Sequence, residues 1–314
     1  MKRLCLLLLA GLLVASAPAA ADDAPATIPD GVTIAGVAVG GLTPDVAAAT
    51  VQQQFNQPLD LEVGTMSVLV TPDVLGATPV VDRAIERALA AQPNTPISLG
   101  VNVVSGSIAG FVAKLAQRYD HAALDSKLSL RHLRPWLSKE RAGRKLDQRS
   151  AVHDINVALA DMTRGELRLA VKAVKPEVTQ RNFGPVIVIR RSSNRLFLYD
   201  GMKYRRFFVV ATGQTQYPTP LGRFTIIVKW KNPWWYPPNS PWAQGQKPIP
   251  PGPNNPLGTR WMGLSSAGVG IHGTPSDTSI GYSVSHGCIR MHIPQAEWLF
   301  NHVEIGTTVF IVAA

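Results

Sequence analysis

Three histidines and a cysteine lie close together in one stretch of the chain, "IHGTPSDTSIGYSVSHGCIRMH", residues 271–292. A cysteine attacks a carbonyl as its thiolate, so it requires a base or a positive charge beside it. His286 lies two residues before Cys288, which places both side chains on one face of an extended strand. His272 lies sixteen residues upstream and reaches Cys288 if the two end neighbouring strands. The pattern predicts a cysteine nucleophile with a histidine general base.

The neighbours of Cys288 suit acyl transfer. Gly287 lacks a Cβ and lets the backbone turn, so consecutive N–H groups at Gly287 and Cys288 would form an oxyanion site. Arg290 adds a positive charge that suits a carboxylate, with a structural salt bridge as the alternative.

Zinc binding is a rival interpretation of the same stretch. The residues of the types that bind zinc are His272, His286, Cys288 and His292. However, "HGC" leaves one residue between two ligands, where structural sites leave roughly two to four. The sequence therefore favours the nucleophile and predicts neither a metal nor a cofactor.

The N-terminus has the order of a secretory signal peptide, predicted over residues 1–21. Two basic residues precede an apolar run from Leu4 to Val14, and small residues follow up to Ala21. The run is shorter than the roughly 20 residues of a membrane span. We expect a protein exported to the periplasm or cell wall, without a permanent membrane span, and a short flexible leader over residues 22–27. A retained membrane anchor is the alternative.

Export would leave Cys288 as the single thiol, since Cys5 lies within the predicted signal peptide. A disulfide framework within one chain is then excluded, and the thiol is either reactive or inert and buried. The net charge of +10 indicates an anionic cell envelope rather than nucleic acid as the counterpart. The basic run at residues 131–149 mixes with acidic and apolar residues, so we predict a solvated face there.

Two regions are predicted. Residues 28–179 show an α+β pattern, with a strand from Val32 to Val39, a hairpin over 59–70 and helices over 43–55, 82–91, 107–120 and 150–161. A candidate break between two modules lies near 92–98, and the isolated histidines at 121, 132 and 153 are predicted as surface or capping residues. Residues 180–314 alternate apolar and polar side chains, which predicts a mostly-β sandwich or barrel with one short helix after the cysteine motif.

Four of the seven tryptophans fall in the proline-rich segment 228–255. Such a segment is stiff and extended, so it would wall a substrate cleft, form a lid, or cover an exposed edge. The candidate cleft residues are Tyr217, Trp234, Trp235 and Trp242.

The motif "IHG…SHGCIRM" resembles the signature of the L,D-transpeptidase (YkuD-type) catalytic domain. "ATGQTQYPTPLGRFTI" (211–226) and "NPLGTRWMGL" (255–264) are similar to two further motifs of that family, in the same order. Residues 28–179 resemble peptidoglycan-binding, VanW-associated modules through "VTIAGVAVGGLT" and "LVTPDVLGA".

The resemblance implies a β-sandwich-like fold and a role for each residue that matches the motif. Cys288 would be the nucleophile and His272 the base, with the carbonyl of Gly273 orienting His272. The supporting residues would be Ser285, His286 and Gly287 at the oxyanion site and Arg290 beneath the cysteine loop.

The resemblance also implies a reaction. Cys288 would attack the third-residue carbonyl of a peptidoglycan tetrapeptide stem and release D-alanine. An amine of a neighbouring stem would then resolve the thioester as a 3→3 cross-link. Water as acceptor (a hydrolase or L,D-carboxypeptidase), a lysine of a wall-anchored lipoprotein, and a non-catalytic wall-binding role are the alternatives.

Overall fold

The computed structural model describes residues 26–314. The predicted signal peptide, 1–21, and all but two residues of the predicted leader, 22–27, lie outside the described residues. The described chain forms two compact units. The first comprises the residues up to Tyr119 together with Leu146–Val171, and the second comprises Asp120–Lys145 and Lys172–Ala314. Each unit is therefore built from two separate stretches of the chain.

The helices of the described residues are α1 (Pro44–Phe55), α2 (Val81–Leu89), α3 (Ser107–Tyr119), α4 (Gln148–Ala160) and α5 (Ile293–His302). The strands are β1 (Thr33–Ile34), β2 (Val37–Ala38), β3 (Leu59–Val63), β4 (Met66–Val70), β5 (Ala77–Val80), β6 (Pro96–Ile97), β7 (Gly100–Val103), β8 (Leu128–Arg131), β9 (Arg134–Leu137), β10 (Gly143–Leu146), β11 (Glu166–Arg168), β12 (Val171–Val174), β13 (Pro185–Arg190), β14 (Arg195–Asp200), β15 (Lys203–Val209), β16 (Thr212–Gly213), β17 (Gly222–Lys231), β18 (Arg260–Leu264), β19 (Gly270–Thr274), β20 (Ser283–Ser285), β21 (Ile289–His292) and β22 (Thr308–Val312).

The first unit combines helices and short strands. In α1, Pro44 occupies the first turn, and the buried Ala47, Val51 and Phe55 recur every four residues to form one apolar face. The predicted hairpin is present as β3 and β4. The single strand predicted from Val32 to Val39 is wrong: β1 and β2 form a tight hairpin there, because the chain reverses at Ala35 and Gly36 with positive φ.

The predicted mostly-β fold of the C-terminal region is confirmed. One eight-stranded sheet has the order β15-β14-β13-β22-β17-β18-β19-β21. The run Val186–Ile189 in β13 is apolar throughout because the strand is buried on both faces. Ile187 and Ile189 join the core that includes side chains of α5, whereas Val186 and Val188 join a second cluster on the opposite face.

The β8–β9 hairpin supplies that second cluster. Leu128 and Leu137 are buried with Val186, Val188 and Phe310. Residues 120–145 consequently lie in the second unit, whereas the sequence pattern assigned them to the N-terminal region. The basic side chains of residues 131–149 are exposed, in agreement with the predicted solvated face, whereas Leu137 and Leu146 of the same run are buried.

The three isolated histidines of the N-terminal region are exposed, as predicted. The predicted helix after the cysteine motif is present as α5. Across residues 26–314 we find no helix with the length and apolar character needed to cross a membrane.

Candidate active site

Four adjacent strands of the second unit build the site. Their register aligns one residue from each strand in a row across one face of the sheet: Trp230 on β17, Trp261 on β18, His272 on β19 and Arg290 on β21. Residues that face each other across neighbouring strands project to the same side. The row therefore places a histidine between an aromatic ring and a cation.

Cys288 is the residue just before β21, and its side chain lies on this face of the sheet. Ile289 pairs with Ile271, so Cys288 lies beside Gly270, and His272 lies two residues further along the neighbouring strand on the same face. The thiol is half-buried, and its Sγ lies 3.4 Å from the carbonyl oxygen of Gly268. His272 lies in the middle of β19 and Cys288 just before β21, so the two residues come from neighbouring strands without ending them.

His272 is held as a neutral base. Its side chain is 4% exposed, and Nδ1 lies 2.6 Å from the carbonyl oxygen of Gly273. Because a carbonyl oxygen accepts and never donates, Nδ1 carries the proton and Nε2 keeps its lone pair. Burial lowers the pKa of His272 from 6.5 to about 4; the Gly273 carbonyl opposes this shift and the charge of Arg290 adds to it. The predicted contact with Gly273 is present.

Cys288 rests as a thiol. Burial raises its pKa, and the N–H of Gly270 and the charge of Arg290 act in the opposite direction. A thiol with a raised pKa next to a histidine with a lowered pKa is not a preformed thiolate–imidazolium pair. The arrangement instead allows Nε2 of His272 to take the proton as the sulfur attacks.

Arg290 is half-buried, and burial lowers its own pKa. No aspartate or glutamate of the described residues forms an ion pair with it. The salt-bridge alternative is therefore not what the structure shows. Its backbone exchanges two hydrogen bonds with Ala211, which fixes the strand that follows Cys288.

The turn before the cysteine depends on a buried serine. Ser285 Oγ donates to the carbonyl oxygen of Cys288 at 2.6 Å and accepts from the N–H of Gly287 at 3.2 Å. Gly287 has a φ of 110°, a backbone conformation that residues other than glycine rarely adopt. The sequence suggested two free N–H groups, at Gly287 and Cys288. The structure differs, because Ser285 already engages the first of them.

Two aromatic rings pack around His286, which is exposed and therefore does not share the environment of His272. Trp242 stacks on the imidazole with ring centroids 4.0 Å apart and an interplanar angle of 11°. Tyr217 lies 5.1 Å away in a tilted arrangement. Burial and the charge of Arg290 lower the pKa of His286. Of the four candidate cleft residues, Tyr217 and Trp242 contact the motif.

The other two candidate cleft residues have different environments. Trp235 is 8% exposed and pairs with Ile249 through two backbone hydrogen bonds, so it holds the proline-rich segment together. Trp234 is 49% exposed and lies beside Tyr236.

Asn255 organises the same segment and was not singled out by the sequence analysis, although it opens the quoted motif "NPLG". Its buried amide donates to the carbonyl oxygens of Pro233, Ile249 and Pro250 at 2.8, 3.2 and 3.1 Å. A single residue therefore ties both ends of the proline-rich loop, which is bonded to its scaffold rather than hanging free.

Trp261 was also missed as a site residue. Its ring lies 5.7 Å from that of His272. A Cβ at Gly270 would lie 2.4 Å from the Trp261 ring, so the glycine leaves the space that the indole fills beside the histidine. The signal in the sequence was the pair of glycines, Gly263 and Gly270, whose Cβ positions the indole covers.

The zinc alternative finds no support in the geometry. Within residues 26–314 no cluster of three or more His, Cys, Asp or Glu side chains is arranged to hold a metal ion. His292 instead pairs with Asp277, with Nδ1 and Oδ1 2.6 Å apart.

A half-buried thiol and a neutral histidine base on adjacent strands form a site suited to acyl transfer through a cysteine. Residues 184–311 match the family model described as the L,D-transpeptidase catalytic domain. YqjB of Bacillus subtilis strain 168, named as an L,D-transpeptidase, is 37% identical over 132 residues, which are 40% of this chain and 70% of that protein. YkuD of Bacillus licheniformis, named likewise, is 32% identical over 125 residues, which are 40% of this chain and 64% of that protein.

Among solved structures, the catalytic domain of the Enterococcus faecium L,D-transpeptidase matches 40% of this chain and 95% of its own length, with 26% identity and a TM-score of 0.34. The assignment follows from the sequence relatives and not from this comparison. The chain belongs to the L,D-transpeptidase family.

Proposed function

We propose that the chain is a peptidoglycan L,D-transpeptidase in which Cys288 is the nucleophile and His272 the general base. One observation carries these roles. His272 is neutral, its Nδ1 is fixed on the carbonyl of Gly273, and its free Nε2 belongs to the strand beside Cys288. That geometry supplies a base to a thiol that burial keeps protonated.

In the proposed reaction, Sγ of Cys288 bonds to the third-residue carbonyl carbon of a tetrapeptide stem while Nε2 of His272 takes the thiol proton. The tetrahedral intermediate then collapses. The bond to D-alanine breaks, and His272 returns the proton to the leaving amine. An amine from a neighbouring stem attacks the thioester, which closes the cross-link and restores the thiol.

Arg290 and the turn before Cys288 have supporting roles in this proposal. A half-buried guanidinium without an acidic partner suits a carboxylate of the stem. With the N–H of Gly287 held by Ser285, the N–H of Cys288 remains the candidate donor to the oxyanion. His286 contributes as the surface on which Trp242 and Tyr217 pack.

Export and a wall-binding role for residues 28–179 belong to the same proposal. The predicted signal peptide and the net charge of +10 suit work beside an anionic envelope. The acceptor defines the branches of the proposal: a stem amine gives a cross-link, a lipoprotein lysine gives an anchored protein, and water gives a carboxypeptidase.

The test is intact-protein mass spectrometry of residues 22–314 mixed with a disaccharide-tetrapeptide. We expect an acyl adduct on Cys288, free D-alanine and a cross-linked dimer. Cys288→Ala should form no adduct, and His272→Gln should form it far more slowly because no base accepts the thiol proton. An adduct on the alanine variant would refute the role of Cys288, and D-alanine release without dimer would favour water as the acceptor.

A further inference from the structure

A group of exposed aromatic residues lies at one end of the catalytic row. Trp230, Trp234 and Tyr236 are 51%, 49% and 65% exposed. With Lys229, Lys231 and Pro233 they line an open groove of about 400 Å³. Exposed aromatic side chains grouped in this way usually mark a binding surface rather than a core.

The local backbone explains why these rings point outward. Residues 233–236 alternate buried and exposed, with Pro233 and Trp235 inside and Trp234 and Tyr236 outside. Alternation is the period of an extended chain, and the backbone pairing of Trp235 with Ile249 holds the segment extended. The rings of Trp234 and Tyr236 lie within 26° of parallel, with centroids 6.3 Å apart. The two exposed, nearly parallel rings form the aromatic platform of the groove.

The groove shares Trp230 with the row of residues that contains His272. Trp230 pairs with Trp261 across β17 and β18, and the Trp261 ring lies 5.7 Å from that of His272. A polymer lying on the platform would therefore run along the strand row toward the thiol.

The chemistry of the lining indicates the occupant. The groove offers aromatic faces and the exposed Lys231, and no carboxylate lines it. The ammonium of Lys229 is already engaged, because it donates to the carbonyl oxygen of Val303 at 2.5 Å. Aromatic rings suit the apolar CH faces of pyranose sugars, and a lysine suits a polymer that carries carboxylates. We propose that this groove binds the β-1,4-linked strand of N-acetylated amino sugars to which the stem peptide is attached. This inference rests on the proposed function and extends it from the peptide to the glycan.

The test uses a peptide-free ligand, the hexamer of β-1,4-linked N-acetylglucosamine. Calorimetry on residues 22–314 carrying Cys288→Ala should show binding without turnover. Tyr236→Ala and Trp234→Ala, each added to that background, should weaken it at least about tenfold. The matched control is Tyr204→Ala, because Tyr204 is 52% exposed on β15 at the opposite edge of the sheet. Thermal melts confirm that each variant is folded.

A second measurement uses the active chain. The ratio of KM for a glycan-free tetrapeptide to KM for a disaccharide-tetrapeptide should exceed one, fall toward one in Tyr236→Ala, and stay at the wild-type value in Tyr204→Ala. Unchanged hexamer affinity in both groove variants would overturn the inference, as would the absence of hexamer binding to the parent. Loss of affinity for the free stem peptide alone would assign the groove to peptide and also overturn it.

The two proposals fail separately. Hexamer binding requires no catalysis. Binding without D-alanine release would therefore refute the proposed transpeptidase function and leave the proposed glycan-binding role of the groove intact. D-alanine release without hexamer binding would refute the groove and leave the transpeptidase.

Discussion

The lone pair on Nε2 of His272 sets the pH range over which the proposed reaction can begin. Burial lowers the pKa of His272 to about 4, so the base stays neutral at pH 5 to 6, where an ordinary histidine would be charged. We expect the rate of D-alanine release to fall as the pH drops through about 4, the pKa of His272, rather than through 6.5. Initial rates from pH 3.5 to 8 test this, and a limb near 6.5 would contradict the buried neutral base.

The same shift predicts a pH dependence of stability. Between pH 6.5 and about 4 the unfolded chain binds a proton at His272 that the folded chain does not bind. The free energy of unfolding therefore falls as the pH drops through that window, by on the order of 3 kcal/mol at its lower end. Urea titrations at pH 7 and 4.5 should show a smaller difference for His272→Gln than for the wild type. An identical difference would contradict the assignment.

Trp242 is expected to act through the imidazole on which it stacks. Removing the indole frees His286, which lies between Ser285 and Gly287 in the turn before the nucleophile. Trp242→Ala should slow D-alanine release about tenfold, and Trp242→Phe should retain most of the activity because it restores a ring. A wild-type rate for Trp242→Ala would show that the stack is not required.

The reacting residues could be predicted from the sequence because their types and spacing are themselves the signal. Cys288 was singled out by type and spacing alone, whereas spacing left His272 and His286 as alternative bases and the family resemblance favoured His272. The carbonyl of Gly268 and the ring of Trp261 could not be predicted, because their positions depend on which strands pair. The engagement of the Gly287 N–H by Ser285 is likewise a property of the folded turn.

At the scale of elements, β8 and β9 should stabilise the second unit. Leu137 is fully buried and lies in the cluster with Val186 and Phe310, so Leu137→Ala should lower the free energy of unfolding by about 2–5 kcal/mol. Leu124, in the same stretch, is 53% exposed, and its alanine variant should change stability by less than about 0.5 kcal/mol. Equal urea midpoints for the two variants would show that the hairpin does not contribute to the stability of this core.

The proline-rich segment should depend on one amide. Asn255→Ala removes the side-chain donor of three carbonyls, of which the bond to Pro233 is buried, and this costs about 1–3 kcal/mol. Limited chymotrypsin digestion should then cut faster after Trp242, which is followed by Ala243 within the segment. The neighbouring Asn254 is exposed, so Asn254→Ala is the matched control. Equal cleavage rates would show that Asn255 does not hold the segment.

Periodicity predicted most of the long elements, including α1 to α4 and the strands from β13 to β15. It failed where two residues reverse the chain, as at Ala35 and Gly36, because a two-residue hairpin has the composition of a single strand. It also failed for the β8–β9 hairpin, because the strand against which the hairpin packs, β13, is distant in the sequence.

For the whole molecule, the discontinuous second unit has a practical consequence. A fragment of residues 180–314 omits Leu128 and Leu137 and exposes one face of β13. A fusion of residues 120–145 to 172–314 retains that cover. We expect the fusion to melt at a higher temperature and to aggregate less than the shorter fragment. A lower melting temperature for the fusion would show that the hairpin does not complete the unit.

Within the large sheet, β22 lies between β13 and β17 and is the single seam between two half-sheets. One half consists of β15, β14 and β13, and the other holds the thiol and its base. Until residues 308–312 pair with both neighbours, each half-sheet has an unpaired edge strand, and unpaired edges promote pairing with other chains. Aggregation through these two edges therefore remains possible until β22 joins the halves.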